Sequence, residues 1–225
     1  MHDDERNLWW RIGATIVWPI EHMIFRVRVE GTEHVPRSGP SILAFNHTSV
    51  LDGPCIAIET SMRCKREIRF LVAAEVFEKR FFGWVLRTFD QIPIRRGQGD
   101  RHALDAAIET VRAGAMAAIA PEGRVNEDPQ RGLQRIRSGI ARIAIPSGAA
   151  VVPVGIWGPQ RRWARSGPNF SRLWRRPMIA MVYGEPVFAH GDAQSQRDVD
   201  SFRDEIRAAI EAVVLRASIM ADGGL

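Results

Sequence analysis

A histidine and an aspartate that follow a short apolar segment have the residue types and spacing for acid–base chemistry. Residues 41–45 are mostly apolar, His47 follows this run, and Asp52 comes five positions later. The reference pKa of histidine is about 6.5, so the side chain acts as a general base near neutral pH. A neighbouring carboxylate fixes the tautomer and stabilises the imidazolium that forms on proton uptake. We therefore interpret His47 as a general base supported by Asp52; the same spacing also suits a helix cap with a satisfied polar pair.

The sequence lacks the usual strand-to-helix elbow of a serine nucleophile, since no GxSxG segment occurs in it. A histidine base without such a nucleophile indicates that the proton comes from the hydroxyl of a substrate. The reaction suggested by these residues is therefore direct attack of an external hydroxyl on an activated bond.

A second polar segment follows another apolar run, residues 116–120. Loops at the carboxyl ends of parallel strands form the ligand crevice of an α/β sheet. There Glu122 could accept a hydrogen bond from an acceptor hydroxyl, and Gly123 allows the backbone to approach a ligand closely. The alternative is an ordinary turn.

The pair Arg95 and Arg96 follows the short apolar segment at 91–94. A guanidinium group suits bidentate binding of a phosphate. On its own this feature carries little weight, because nearly all basic residues of this chain are arginine.

Together, and in this order, these segments resemble the conserved blocks of the glycerolipid acyltransferase family, which includes 1-acylglycerol-3-phosphate acyltransferase. The resemblance extends from about Val27 to Val187. The matching segments are NHTSVLD at 46–52, IPIRR at 92–96, APEG at 120–123 and VVPV at 151–154.

The resemblance implies transfer of a fatty acyl group from acyl-CoA or acyl-carrier protein to the hydroxyl of lysophosphatidic acid, giving phosphatidic acid for phospholipid synthesis. It implies that His47 removes the hydroxyl proton and that Asp52 orients His47. The residues implied to bind the acceptor are Asn46, Arg96, Glu122, Gly123 and Arg124. Those implied on the acyl-donor side are Val152 and Pro153.

Two departures from the family pattern concern the acceptor side of the site. The family has Phe where Ala120 stands, and Thr-Arg where this chain has Arg124 and Val125. A lysophospholipid or glycolipid acceptor is therefore an alternative. A non-catalytic protein that binds anionic lipid or nucleic acid is a further one.

The charge distribution favours anionic partners. Between Pro129 and Gly184 there are ten arginines and no acidic residue, which predicts a positive face. Since no recognisable nucleic-acid-binding signature is present, we expect an anionic membrane surface, a lipid acceptor and an acyl thioester as partners, and no nucleic acid.

The two cysteines, Cys55 and Cys64, have neither CxxC spacing nor a nearby histidine. We therefore expect no disulfide framework and no zinc site, and a reducing cytoplasmic setting. No metal or cofactor is expected beyond the acyl carrier as co-substrate.

Strand-like and helix-like segments alternate along the chain, which predicts a single α/β domain with a mostly parallel sheet flanked by helices. The family resemblance implies that this domain has a glycerol-3-phosphate acyltransferase-like fold. We assign residues 27–225 to this acyltransferase domain. One long helix is expected from Glu75 to Phe89, with Phe81 and Trp84 on its apolar face.

Residues 1–26 are assigned to an N-terminal membrane-interface helix. Its apolar stretch is too interrupted to span a bilayer, because Arg11, Pro19 and Glu21 fall within it. We expect Trp9, Trp10 and Trp18 at the level of the lipid headgroups; an ordinary helix packed on the core is the alternative. The expected location is the cytoplasmic face of the cell membrane, peripheral or monotopic.

Overall fold

The structure, a computed structural model, describes residues 6–95, 101–169, 171 and 175–223. Its strands are β1 (Arg26–Glu30), β2 (Ser41–Phe45), β3 (Ile68–Ala73), β4 (Ile92–Ile94), β5 (Met116–Ile119), β6 (Ala150–Trp157), β7 (Trp163–Ala164), β8 (Gly167–Pro168), β9 (Met178–Tyr183) and β10 (Val187–Phe188). Its α-helices are α1 (Leu8–Ile24), α2 (Asp52–Cys64), α3 (Ala74–Phe77), α4 (Arg80–Thr88), α5 (Arg101–Arg112), α6 (Gly139–Ser147) and α7 (Gln196–Asp222).

The strands form a mostly parallel sheet with the order β1-β9-β6-β2-β5-β3-β4, and β10 also pairs with β6. Only β6–β9 and β6–β10 are antiparallel among the described pairs of this sheet. At the centre, Ser41 of β2 lies opposite Met116 of β5 and Ala150 of β6. The predicted α/β class and mostly parallel sheet are confirmed.

Helices cover both faces of the sheet, which explains why the central strands are apolar throughout. Along β2, Leu43 and Phe45 face one core cluster, together with residues of α1 and α2. Ile42 and Ala44 face a second cluster, together with residues of α5, α6 and α7. All five residues of β2 are buried, so the strand that leads to His47 is held from both sides.

The helix predicted from Glu75 to Phe89 is in fact two helices, α3 and α4, and this prediction was wrong in two respects. The chain folds back between them, and a Cβ on Gly83 would lie 2.0 Å from the Phe77 carbonyl oxygen, so the close approach requires glycine. In addition, Phe81 and Trp84 point outward, with exposed fractions of 68% and 57%. Helical spacing alone did not show which side of this short helix faces the core.

Helix α1 presents an apolar surface to the outside. The Asn7 side chain caps it by accepting a hydrogen bond from the Trp10 amide, 3.0 Å away. Its exposed large apolar residues are Leu8, Trp9, Ile12, Ile16, Val17, Ile20, Met23 and Ile24, which we call the α1 stripe. Within the described residues, no helix combines the length and apolar character needed to cross a membrane.

One tryptophan lies elsewhere than the sequence predicted. Trp10 was expected at headgroup level, but it is buried and packs edge-on against Phe89, with ring centroids 5.1 Å apart. Trp157, the last residue of β6, is also buried, in a core cluster that contains Met220. Both cysteines are buried and free.

Candidate active site

The loop between β2 and α2 brings His47 against Asp52. The strand ends at Phe45, and Asp52 is the first residue of α2. The Nδ1 atom of His47 lies 3.1 Å from Oδ2 of Asp52. Since a carboxylate accepts the Nδ1 proton, Nε2 is left as the ring nitrogen that can take a proton from another molecule.

Asp52 is fully buried and is fixed by the backbone of the same loop. Its Oδ2 accepts hydrogen bonds from the amides of Thr48 (2.6 Å) and Ser49 (2.7 Å). Burial raises the pKa of Asp52, while the contacts with His47, Ser49 and Thr48 act in the opposite direction. Because the amides of Thr48 and Ser49 donate to Asp52, they are not directed at a reaction oxyanion.

Glu122 braces the backbone of His47. Its Oε1 accepts the His47 amide at 2.7 Å, and its Oε2 accepts the Gln134 amide at 3.0 Å. The carbonyl of His47 in turn accepts a hydrogen bond from the Asn126 amide at 2.6 Å. Burial raises the pKa of Glu122, and the two backbone donors oppose that shift. Both carboxylate oxygens thus serve the protein, so the geometry suits positioning of His47.

Asn46 continues the hydrogen-bond ladder between β2 and β6. Its side-chain amide donates to the Ile156 carbonyl at 3.0 Å and accepts from the Ile156 amide at 2.8 Å. Asn46 is buried, so both ends of its amide are used in holding the strand that precedes His47.

His47 opens onto a cavity of about 770 Å³ that draws its walls from both faces of the sheet. One arm lies between α1, α2 and α4, and its wall includes Gly13, Val17, Ala57, Phe70, Phe82 and Phe89. The other arm lies against α5 and α6, and its wall includes Leu71, Leu104, Ile119, Ile140 and Ile143. His47 belongs to the same cavity wall and follows β2, at the carboxyl edge of the sheet. Apart from this edge the lining is largely apolar.

Arginine side chains line part of the cavity. Arg95 and Arg137 both belong to the cavity wall and both are exposed. Gly123 also lines it, with φ of +73°, and a Cβ at that position would lie 3.1 Å from Nε of Arg137. Arg137 was not predicted as a site residue, because in the sequence it is one of ten arginines in a basic stretch. Its amide is bonded to the Pro121 carbonyl at 2.9 Å, and this contact between loops is not visible in residue spacing.

The other predicted site residues lie apart from the cavity or outside the described chain. Arg124 is exposed, and its Nε donates to Oε1 of Gln134 at 3.2 Å. Val152 is part of the core, and Pro153 lies within β6 opposite Ala44. Arg96 lies outside the described residues.

A histidine–carboxylate pair at the carboxyl edge of an α/β sheet, facing a deep apolar cavity, defines a class of site suited to chemistry on long apolar substrates. A family model described as Acyltransferase matches residues 26–157, more than half of the 225 residues, and the chain belongs to this acyltransferase family.

Two curated relatives are similar over part of their length. An uncharacterized protein of Mycobacterium leprae is 30% identical over 174 residues, which is 73% of this chain and 43% of the relative. An uncharacterized acyltransferase of Schizosaccharomyces pombe is 33% identical over 114 residues, 48% of this chain and 17% of the relative. The chain therefore spans less than half the length of these curated relatives.

A solved structure has the same fold. The crystal structure of the 1-acyl-sn-glycerophosphate (LPA) acyltransferase PlsC from Thermotoga maritima matches with a TM-score of 0.68 and 22% sequence identity. The match covers 95% of this chain and 83% of the other. Membership of an acyltransferase family and the predicted fold are therefore confirmed.

Proposed function

We propose that this protein transfers a fatty acyl group from a thioester carrier, acyl-CoA or acyl-carrier protein, to the hydroxyl of lysophosphatidic acid. The observation that carries the proposal is the position of the His47–Asp52 pair, with His47 in the wall of a largely apolar cavity that arginines also line. Such a cavity suits an acyl chain and an anionic headgroup that meet at one base.

In the proposed reaction Nε2 of His47 takes the proton of the acceptor hydroxyl as its oxygen attacks the thioester carbonyl. The tetrahedral intermediate then loses the carrier sulfur, and the imidazolium returns the proton to the departing thiolate. Asp52 holds the ring and stabilises its charged form. A base of this kind contributes about 10²- to 10⁴-fold to the rate, and the joint binding of the two substrates contributes much of the rest.

Arg137 and Arg95 are the described side chains that we propose to attract the acceptor phosphate, since both line the cavity. Arg96 is proposed for the same role from its place in the second block. In this scheme Gly123 gives the ligand access to the backbone, and Glu122 acts through His47.

A different lipid acceptor is the second candidate, and one position favours it. Ala120 lines the cavity where the family's third block has phenylalanine. The smaller side chain leaves room there for an acceptor bulkier than lysophosphatidic acid, such as a lysophospholipid or glycolipid.

An anionic membrane surface is the proposed partner of the apolar outer surface. Val17 of the α1 stripe and Phe82 of α4 are both exposed and also line the cavity. A lipid surface covering α1 and α4 would therefore adjoin the cavity from which an acyl chain must enter. The corresponding proposed location is peripheral, on the cytoplasmic face of the cell membrane.

The test is acyl transfer by purified protein supplied with palmitoyl-CoA and lysophosphatidic acid, with thiol release and lipid product both measured. We expect product that depends on the acceptor and is lost in His47→Ala. A matched control is His190→Ala, because His190 pairs with Glu205 on the surface, away from the cavity. Product with another acceptor only would select the second candidate, and a folded protein inactive with a panel of donors and acceptors would refute the reaction.

A further inference from the structure

A buried group of ionisable side chains lies where α1 packs on α2. Glu21 and His22 come from α1 and Glu59 from α2, and one ligand atom from each lies within 4.8 Å of the others. Glu21 has an exposed fraction of 5% and Glu59 of 0%. No sequence spacing marks this group, because its members come from two helices.

The Glu21 carboxylate is buried away from water, and no strong hydrogen-bond donor among the described residues contacts it. Within the described chain, neither of its oxygens accepts a hydrogen bond from a nitrogen or hydroxyl group. The Cys55 thiol, a weak donor, is the polar group that approaches it. Buried carboxylates are normally paired with cations or bound to metal ions, so Glu21 points to a missing partner.

Glu59 is only half satisfied. Its Oε2 lies 2.6 Å from Nε of Arg63, which compensates one negative charge. Its Oε1 has no hydrogen-bond partner among the described residues. The Arg63 guanidinium thus contacts Glu59 but not Glu21, and both carboxylates keep oxygens without a hydrogen-bond partner among the described residues.

His22 is oriented as histidines that bind metals usually are. Its Nδ1 lies 3.0 Å from the Trp18 carbonyl oxygen, which can only accept a hydrogen bond, so in the neutral tautomer that donates to this carbonyl the Nε2 lone pair faces Glu59. A backbone carbonyl on the second ring nitrogen is a common feature of metal-binding histidines. Nε2 is 3.6 Å from Oε1 of Glu59, close to the separation of about 3.4 Å expected for two ligands on one tetrahedral Zn²⁺.

We propose that Glu21, His22 and Glu59 form a site for a zinc-type divalent cation that ties α1 to α2. One imidazole nitrogen with two carboxylate oxygens suits Zn²⁺ better than Mg²⁺, which prefers oxygen ligands and keeps its water. The cation supplies the charge that the two carboxylates lack. The site lies outside the cavity wall, so its role is to secure the helix that forms part of that wall.

The test is metal binding by tag-free, chelator-treated full-length protein, measured by equilibrium dialysis and elemental analysis with Zn²⁺, and with Mg²⁺ for comparison. We expect about one Zn²⁺ per chain and a rise in Tm of roughly 5 to 10 °C at saturation. Glu21→Gln and His22→Gln should lose both effects. His190→Gln, which removes a surface histidine paired with a glutamate, should keep them.

Glu21→Gln also guards against misreading a variant that fails to fold. It keeps the shape of the side chain and removes a buried charge, so without metal it should be at least as stable as the wild type. Zinc binding that persists in this variant would overturn the proposal. A wild-type protein that binds no zinc would overturn it as well. A Tm that then falls with rising pH would mean that the two carboxylates share a proton.

Discussion

At the scale of single residues, the candidate site depends on the several hydrogen bonds of one carboxylate. The fully buried Asp52 accepts hydrogen bonds from the His47 ring and from two backbone amides. An asparagine would keep the size of the side chain but could not stabilise an imidazolium, and its amide group would favour the wrong histidine tautomer.

We expect Asp52→Asn to lower kcat by roughly 10³- to 10⁴-fold with little change in KM. The reason is that the hydroxyl proton has a poorer acceptor, whereas the substrate contacts are intact. Steady-state kinetics with thiol detection measures the effect, and circular dichroism checks the fold. Asp105→Asn, at an exposed position of α5, is the control; a variant within tenfold of wild type would contradict the role of Asp52.

The pairing of His47 with Asp52 was predictable at this scale, because both lie in one short loop. The surroundings were not. Asn46 and Glu122 were predicted to bind substrate, but their polar atoms bond to Ile156 and to the amides of His47 and Gln134. Their substrate role stays a prediction, since sequence blocks mark where residues gather without showing which bond each one makes.

At the scale of secondary structure, α1 and α4 both contribute to one wall of the cavity. Helix α1 approaches Phe89, the residue that follows α4, at Gly13. A Cβ on Gly13 would lie 2.9 Å from Cζ of Phe89, and both residues line the cavity. A larger side chain at this position would extend into the first arm, where we propose that the acyl chain binds.

We expect Gly13→Leu to reduce activity with long acyl donors relative to short ones by roughly tenfold or more, because the added atoms occupy the arm. The measurement is kcat/KM for a series of acyl-CoA chain lengths. Thr15→Leu, an exposed position on the same helix that is not among the lining residues, should leave the preference unchanged. An unaltered chain-length profile in Gly13→Leu would place the acyl chain elsewhere.

The alternation of strands and helices was predictable from the sequence pattern, and β2 begins and ends with the apolar run at 41–45. The break between α3 and α4 was not, because it depends on the contact of Gly83 with a carbonyl of the preceding helix. The β7–β8 hairpin was also missed. It is too short for periodicity to show, yet the Trp163 carbonyl accepts a hydrogen bond from Oγ of Ser49 next to the site.

At the scale of the whole molecule, the apolar outer surface of α1 and α4 lies on one side of the sheet. Ile16 of the α1 stripe is 58% exposed, and Leu215 of α7, on the helix covering the other face, is 63% exposed. The two residues are chemically similar, but Ile16 belongs to the larger α1 stripe, whereas the large exposed apolar neighbour of Leu215 on its own helix is Ile219, one turn away. Such clusters mark surfaces for lipid or protein partners.

We expect the double variant Trp9→Ser and Ile16→Ser to bind phosphatidic acid vesicles roughly tenfold more weakly or worse, because each change removes apolar area from the contact. Co-sedimentation at fixed ionic strength measures the bound fraction. Leu215→Ser should bind as the wild type does. Equal losses in both variants would mean that the α1 stripe is not the contact surface.

The partner of β1 has a consequence for how the chain acquires its shape. Residues 26–30 pair with residues 178–182 of β9, so β1 lacks this neighbouring strand until residues 178–182 have been synthesised. During synthesis the N-terminal segment, with its exposed apolar side chains, must wait while the centre of the sheet assembles. Because such distant pairings form slowly, the exposed apolar side chains of this segment need a lipid or protein surface to cover them early in synthesis.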